Sequence, residues 1–221
     1  MLKPIPYIDK NVEFSASDFN KPDYLLWIKN RTDAYKNEEK DEVFSPSFVG
    51  SLIHENSESL NETNVIKEFS TTKYLDGTSI GGTIDRIVLN SDGEATIEDI
   101  KTGGHFPMLQ KWKNGETSED WIIQLSVYRW LIIDIFKEVS NFGNIHVFVL
   151  GHQKNKEKMP ITWSTDIDLL NTKEIEELMA RKILISKRDV EPNKDCETWR
   201  CGYCEYSTYC QTRGATPKEF S

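Results

Sequence analysis

The sequence predicts a mixed α/β fold, a central mixed sheet flanked by helices, in the order helix, three strands, helix, strand. Three observations carry this. Residues 65–75, 78–90 and 94–101 are rich in Val, Ile and Thr, which suit a pleated, half-buried surface. Turn signals separate them, Asp76-Gly77 and then Asn90-Ser91-Asp92-Gly93, so the three strands run antiparallel to one another. From Ser118 to Lys137, apolar residues recur at helical spacing (Trp121, Ile122, Leu125, Tyr128, Leu131, Ile132, Ile135), and a short apolar strand follows at 144–151. A strand–helix–strand crossover adds a parallel neighbour, which makes the sheet mixed.

The remaining elements follow in order. Residues 1–44 form an N-terminal helical segment, with an amphipathic helix expected at roughly 18–36 that carries Leu25, Leu26, Ile28 and Tyr35. The charged stretch Lys36–Glu42 reads as a loop. Ser45-Pro46 starts the next helix, serine as cap and proline in the first turn, and that helix is expected to reach about Leu60. Residues 102–117 hold three glycines, one proline and two lysines, and are expected to form an exposed, mobile loop. A strand near 161–165 and a helix from about 168 to 187 close the core. The division is therefore 1–44, a core over 45–190, and a cysteine-bearing tail over 191–221.

The length of 221 residues with 38% hydrophobic and 11% aromatic content supports a packed core and excludes global disorder. The longest apolar run, Trp130–Ile133, is far too short to span a membrane, and residues 1–20 lack the basic start and apolar centre of a signal peptide. A soluble, cytoplasmic protein without a membrane partner is expected. The net charge of −9 argues against a broad basic footprint for nucleic acid, but a catalytic groove needs only a local basic lining. Lys101, Lys111, Lys113, the Lys154–Lys158 segment and Arg181 through Arg188 are the local candidates, and each also reads as a solvated face.

The chemistry concentrates in residues 81–103. Pairing the strands on either side of Asn90–Gly93 brings Asp85, Asp99 and Lys101 towards one point. Two carboxylates that close repel unless a cation lies between them. A divalent metal held by oxygens, with a lysine to stabilise developing negative charge, suits phosphodiester hydrolysis. Singly, Asp85 also reads as a salt-bridge partner of Arg86 and Asp99 as a solvated acid, and acid-x-Lys triplets are common by chance. His54 adds an imidazole from the helix after Ser45-Pro46, where Gly50, one turn earlier, would let that face approach the sheet. A mixed nitrogen and oxygen site suits Mn²⁺ and tolerates Mg²⁺. Gln124 and Tyr128, four apart, share a helix face. Glu98 is a weaker candidate, because alternation points it to the sheet face opposite Asp99.

In order and spacing these residues resemble the RecB-type nucleases of the PD-(D/E)XK superfamily. The likeness rests on Gly-x-x-x-His at Gly50–His54, Gly-x-Ile-Asp-Arg at Gly82–Arg86, Asp-x-Lys-Thr-Gly at Asp99–Gly103 and Gln-x-x-x-Tyr at Gln124–Tyr128. It covers about residues 45–151 and implies a restriction-endonuclease-like core. It also implies that His54, Asp85 and Asp99 hold Mg²⁺ or Mn²⁺ together with the backbone carbonyl of Ile100. Lys101 would orient the attacking water and stabilise the phosphate, and Gln124 and Tyr128 would steady Lys101 or the scissile strand. The implied activity is a metal-dependent deoxyribonuclease, an exonuclease by family habit, that acts on single strands or duplex ends and leaves 5′-phosphates. Recombination, repair or phage DNA processing is the implied setting, with a helicase or recombination protein as the source of any motor. An endonuclease or nickase of the same fold, a non-catalytic DNA-binding adaptor, and RNA as substrate are the alternatives.

All four cysteines, Cys196, Cys201, Cys204 and Cys210, fall within fifteen residues of the tail. Such clustering points to metal more than to disulfides, as tetrahedral Zn²⁺ or an iron–sulfur cluster. Many RecB-type nucleases, including the CRISPR-associated exonucleases, carry a 4Fe-4S cluster, and their last three cysteines resemble Cys201-x2-Cys204-x5-Cys210. Their first cysteine lies far upstream, whereas residues 1–195 here contain none and Cys196 supplies the fourth thiol locally. The resemblance implies a 4Fe-4S cluster, with Zn²⁺ as the alternative. Trp199, Tyr203, Tyr206 and Tyr209 either shield that metal or stack on bases.

Overall fold

Asp76 and Gly77 set the frame of the sheet. Both have left-handed backbone, with φ of 48° and 81°, so they form the two-residue hairpin turn whose twist matches that of its strands. Leu75 faces Thr78 across it, and the register then runs out to Val65 opposite Val88. The computed structural model describes residues 12–30, 63–104, 115, 117–150, 162–193, 204 and 206. The expected helix at 45–60, with Gly50 and His54, lies outside them. So do Lys111, Lys113, the Lys154–Lys158 segment, Cys196, Cys201, Cys210, Trp199, Tyr203 and Tyr209.

Six strands make one mixed sheet: β1 (Phe14–Ser15), β2 (Val65–Leu75), β3 (Thr78–Leu89), β4 (Glu94–Gly104), β5 (Glu138–Leu150) and β6 (Thr162–Asp168). The hairpins β2–β3 and β3–β4 and the β5–β6 pair are antiparallel, while β4–β5 and β1–β3 are parallel. β2 runs along one edge of β3 for its whole length. The other edge is shared. There β1 pairs with Ile80–Gly81 and β4 with Arg86–Leu89, and Gly82–Asp85 span the fork between them. Past Glu98, β4 leaves β3 and follows β5 as far as Gly104. The parallel ladder thus carries Thr102–Gly104 into the strand, where the glycines and threonine suggest a loop.

The β3–β4 turn is organised by one side chain. Asn90 Oδ1 accepts from the backbone N–H groups of Asp92 (3.0 Å) and Glu94 (2.9 Å), and Gly93 supplies the left-handed residue at φ 83°. Three α-helices lie among the described residues: α1 (Asp23–Lys29), α2 (Glu119–Ile132) and α3 (Thr172–Lys187). α2 is the crossover between β4 and β5. It ends at Ile132, five residues before its expected end at Lys137, because Ile135 and Phe136 turn back onto the Ile132 carbonyl. β5 starts correspondingly early, at Glu138 rather than at 144. α3 starts at Thr172 rather than 168, where Asn171 and Glu174 cap each other reciprocally at 2.9 and 3.0 Å. At the other end of the chain, of the expected helix at 18–36, Asp18 closes a single 3-10 turn (Ala16–Asp18), Asp23–Lys29 form α1 with Pro22 at its start, and residues 31–36, Tyr35 among them, lie outside the described residues.

The chain divides into two compact units, residues 1–20 with 42–176 and residues 21–41 with 177–221. In the first, Ile80, Ile84, Ile87, Ile97, Ile145 and Val147 are completely buried or nearly so. α2 is buried nearly all round, including Leu125, Val127 and Trp130. In the second, Tyr24, Trp27 and Ile28 of α1 pack with Tyr206, and Leu25 and Cys204 flank them. Asp23 pairs there with Arg181 and Lys182, both at 3.1 Å, and Trp27 Nε1 donates to the Arg188 carbonyl.

The close approach of α2 to the sheet requires Gly143. A Cβ there would lie 2.6 Å from Leu125 Cδ2 and 3.3 Å from the Ile97 carbonyl. Gly143→Ala is expected to destabilise the fold by about 1–3 kcal/mol, read from the urea midpoint. Combined with Leu125→Ala it should cost less than the sum of the two single changes, because the shorter side chain removes the clash.

Candidate active site at the strand fork

The fork between β3 and β4 gathers most of the residues singled out by the sequence. Asp85 stands on β3 where β4 departs, and its Oδ2 accepts the Ile100 N–H at 2.7 Å. A carboxylate thus takes the place of the ladder at the point where the strands separate. Asp99 is on the β4 side, with 1% of its surface exposed, and its Oδ2 lies 2.7 Å from Lys101 Nζ. Asp99 and Lys101 are two apart on a strand and so share a face.

α2 supplies the next contacts. Lys101 Nζ donates to Gln124 Oε1 at 2.9 Å, and Gln124 Nε2 donates to the Tyr128 hydroxyl at 2.9 Å. The glutamine amide is oriented from both ends, one turn apart on the helix. Gly82 makes room for this: a Cβ there would meet Tyr128 Cε1 at 2.9 Å and Ala16 Cβ at 3.2 Å. Burial pushes the Tyr128 phenol well above its ordinary value. The Asp99 carboxylate adds to the rise, the Gln124 hydrogen bond opposes it, and Asp85 and Glu68 add smaller increments. Tyr128 is therefore a neutral hydroxyl at any physiological pH.

Glu98 faces away from this cluster. Its Oε2 accepts from Arg86 Nε at 2.9 Å and lies 3.4 Å from His146 Nε2, while His146 Nδ1 is 2.8 Å from Ser164 Oγ. The pairing of Arg86 opposite Glu98 explains the geometry: directly facing residues on adjacent strands put their side chains on one face. The alternative reading of Arg86 as a partner of Asp85 gives way to this Arg86–Glu98 pair. Burial alone would raise the Glu98 carboxyl, but the hydrogen bonds and positive charge of His146 and Arg86 outweigh it and hold the carboxyl below its ordinary value.

Of the expected site residues, Asp85, Asp99, Ile100, Lys101, Gln124 and Tyr128 come together, and His54 lies outside the described residues. Tyr206 does not reach a nucleic-acid surface. At 2% exposure it is buried in the α1 cluster, so base stacking is ruled out for it. Glu68 was not expected. It sits on β2 opposite Asp85, at the irregular position between the pairs Lys67–Arg86 and Phe69–Ile84, with a left-handed φ of 48°. That conformation costs a non-glycine residue about 1–2 kcal/mol. Its signal was in the hairpin itself: counting equal steps out from Asp76-Gly77 along the two strands pairs Glu68 with Asp85.

Comparison with known proteins identifies the family. Residues 16–211 match the family model of the PD-(D/E)XK nuclease superfamily. The chain belongs to the PD-(D/E)XK nuclease superfamily. Among solved structures it is similar to the protein SSO0001, at 18% identity and a TM-score of 0.63 over 95% of this chain and 90% of that one. It is also similar to an exonuclease candidate from Eubacterium rectale (15% identity, TM-score 0.51, 100% and 96% covered). A third is the alkaline exonuclease LHK-Exo from Laribacter hongkongensis (13%, 0.50, 78% and 87%). At these identities the likeness is one of fold. No curated protein sequence matches. The family match takes in residues 16–44 and the tail as far as 211, well beyond the 45–151 covered by the motifs.

PD-(D/E)XK nucleases generally use Mg²⁺ or Mn²⁺. The donors at the fork fit such an ion in kind: the two carboxylates, Asp85 on β3 and Asp99 on β4, are hard oxygen ligands on the two strands that part there. Among the described residues no three or more His, Cys, Asp and Glu side chains converge as a cage. Mg²⁺ is commonly held by one or two carboxylates, with water and substrate phosphate completing its shell, so two suffice.

The opposite face yields a prediction with a definite sign. A carboxyl held below its ordinary 4.5 contributes stability that is complete above that pH and is lost as the pH falls towards the folded value. In urea midpoints measured between neutral pH and about pH 3, Glu98→Gln is expected to flatten this part of the acid decline. An unchanged decline in the variant would show that the Arg86–Glu98–His146 cluster carries no such linkage.

Proposed function

We propose that this chain is a divalent-metal-dependent deoxyribonuclease that works from DNA ends as an exonuclease and leaves 5′-phosphates. The observation that carries this reading is the Lys101 ammonium, held at the fork between Asp99 (2.7 Å) and Gln124 (2.9 Å). An ammonium has three donors, and two of them are engaged by these oxygens. The third is the natural partner of an attacking water or a phosphate oxygen. Lys101 thereby orients the nucleophile and stabilises the charge that develops as the new P–O bond forms and the bond to the 3′ oxygen breaks. Gln124 and Tyr128 hold the ammonium in place, and the neutral phenol adds no negative charge that a phosphate would have to approach. Asp85, Asp99, the Ile100 carbonyl and His54 would hold the ion. When bound, it supplies Lewis acidity and a more acidic water.

The exonuclease mode draws support from the fold relatives, of which LHK-Exo is an alkaline exonuclease. Recombination, repair or phage DNA processing is the setting we infer, with a helicase or recombination protein as partner where strands must be separated. For the tail we propose a 4Fe-4S cluster on Cys196, Cys201, Cys204 and Cys210. Its support is in the sequence: four cysteines lie within residues 196–210, and Cys201-x2-Cys204-x5-Cys210 resembles the last three cysteines of RecB-type nucleases.

End-labelled single-stranded and duplex DNA and a closed circle, incubated with Mn²⁺ or Mg²⁺, test the enzyme. Linear substrates should be degraded from their ends and the circle spared, with chelation abolishing the reaction. Lys101→Ala and Asp99→Ala should each lower the rate by about a hundredfold or more. Cutting of the circle would identify an endonuclease or nickase, and binding without cleavage would identify an adaptor. RNA run alongside fixes the sugar specificity. Elemental analysis of protein purified without oxygen tests the tail: iron with inorganic sulfide is expected, and stoichiometric zinc would replace the cluster by a tetrahedral thiolate site.

A further inference from the structure

The geometry points to the left-handed backbone of Glu68 as the device that turns the Asp85 carboxylate out of the pleat and into the β3/β4 fork. On this reading Glu68 is a positioning residue of the nuclease site that acts through its backbone conformation. The proposal rests on the functional reading above for its consequence, but not for its geometry.

In a regular strand, side chains stand perpendicular to the sheet on alternate faces. A carboxylate in that pose points away from the backbone amides of the next strand. Asp85 does the reverse: its Oδ2 lies 2.7 Å from the Ile100 N–H, in the direction of β4. Something has to rotate the strand locally, and the faces its residues present show where. Ile80 and Ile84 are four apart and both 0% exposed, as alternation requires. Gly82 faces Tyr128 of α2, so alternation puts Ile84 on that face too, while Ile87 pairs with Ile97 beside Gly143, which faces Leu125 of the same helix; Ile84 and Ile87, three apart, thus share a face, and the parity changes between them. The two strands keep one register throughout, from Leu75–Thr78 to Val65–Val88. The swivel is therefore shared by β2 and β3 and is centred on the Glu68–Asp85 position. On β2 it is achieved by the φ of 48° at Glu68, the only non-glycine left-handed residue among the described residues apart from Asp76 of the turn.

A left-handed residue in mid-strand is tolerated easily by glycine and moderately by asparagine, and hardly at all by a β-branched side chain. This separates backbone from charge. Glu68→Val should force β2 back towards a regular pleat and withdraw Asp85 from Ile100. Glu68→Gly and Glu68→Asn keep the left-handed backbone without the carboxylate, and Glu68→Gln removes only the charge.

Two measurements on the full-length protein decide it. Amide hydrogen exchange at Ile100, followed without metal, should quicken at least tenfold in Glu68→Val relative to the ladder amide of Ile97. It should stay slow in the Gly, Asn and Gln variants. Titration of Mn²⁺ by electron paramagnetic resonance should then show affinity about 10- to 100-fold weaker in Glu68→Val, with Gly and Gln rescuing it. Should the valine variant fail to fold, Glu68→Ala compared with Glu68→Gly makes the same contrast in smaller measure. Unchanged Ile100 exchange in Glu68→Val or Glu68→Ala overturns the proposal. Loss of Mn²⁺ affinity in Glu68→Gln as large as in Glu68→Val also overturns it, because the carboxylate itself would then be the active part. If the unaltered protein neither binds Mn²⁺ nor cleaves DNA, the nuclease reading fails, while the exchange data still judge the geometric claim.

Discussion

One edge of one strand has to serve two partners, and the site follows from how it does so. β3 gives its first part to β1 and its last part to β4, with β2 filling the opposite edge throughout. Two strands that share an edge must separate between their contacts, and a separated ladder leaves backbone groups that need partners. At the parting point the Ile100 N–H is taken by the Asp85 carboxylate. A charged acceptor makes a stronger bond than the carbonyl it stands in for, so the fork is held open by an interaction stronger than an ordinary rung.

The wall of the fork is α2, and its distance from the sheet is set by absent side chains. Gly82 and Gly143 admit Tyr128 and Leu125, respectively, where any Cβ would collide. Close approach is what allows Gln124 to span from Lys101 to Tyr128 with two bonds of 2.9 Å. Lysine has a long, flexible stem, and freezing it costs conformational entropy. Here the ammonium is held at two points, by a carboxylate on its own strand and an amide on the helix. That cost is met in the folded protein, before any substrate arrives, which is the condition under which an electrostatic group stabilises a transition state most effectively.

The parts legible in the sequence were those encoded by short-range rules. The Asp76-Gly77 and Asn90–Gly93 turns announced two hairpins, and the β4–α2–β5 crossover announced a parallel pair. The i, i+4 spacing of Gln124 and Tyr128 placed both on one face of α2, and alternation turned Glu98 away from Asp99. What escaped was set by tertiary contact. β1 is two residues long and exists because β3 offers it an edge. Ile135 continues the helical spacing, but its own N–H and that of Phe136 both close onto the Ile132 carbonyl as the helix ends. The start of α3 at Thr172 is set by the reciprocal Asn171–Glu174 cap, an Asn-x-x-Glu pattern in the sequence. Tyr206, expected to shield a cysteine-bound metal or to stack on bases, is a core residue of the second unit, packed with Tyr24, Trp27 and Ile28.

The charge of the chain takes on a different meaning once its acids are placed. With a net charge of −9, a nuclease would meet repulsion from its substrate if that charge were spread evenly. Several of the acids are instead committed to particular cations. Glu98 holds Arg86 with His146 beside it, Asp23 holds Arg181 and Lys182, and Asp134 holds Lys73 at 2.6 Å. Asp99 holds Lys101 in the same manner, but with a difference of setting. The Asp134 side chain is 74% exposed, so that pair is screened by water, whereas the Asp99 side chain is 2% exposed. Interactions at the fork therefore act through a medium of low polarity, where a charge that is compensated locally is felt strongly at short range and little beyond it. The acidity of the chain as a whole is therefore not felt evenly, because at the fork the nearest charges are the paired Asp99 and Lys101 and the distant surface weighs little.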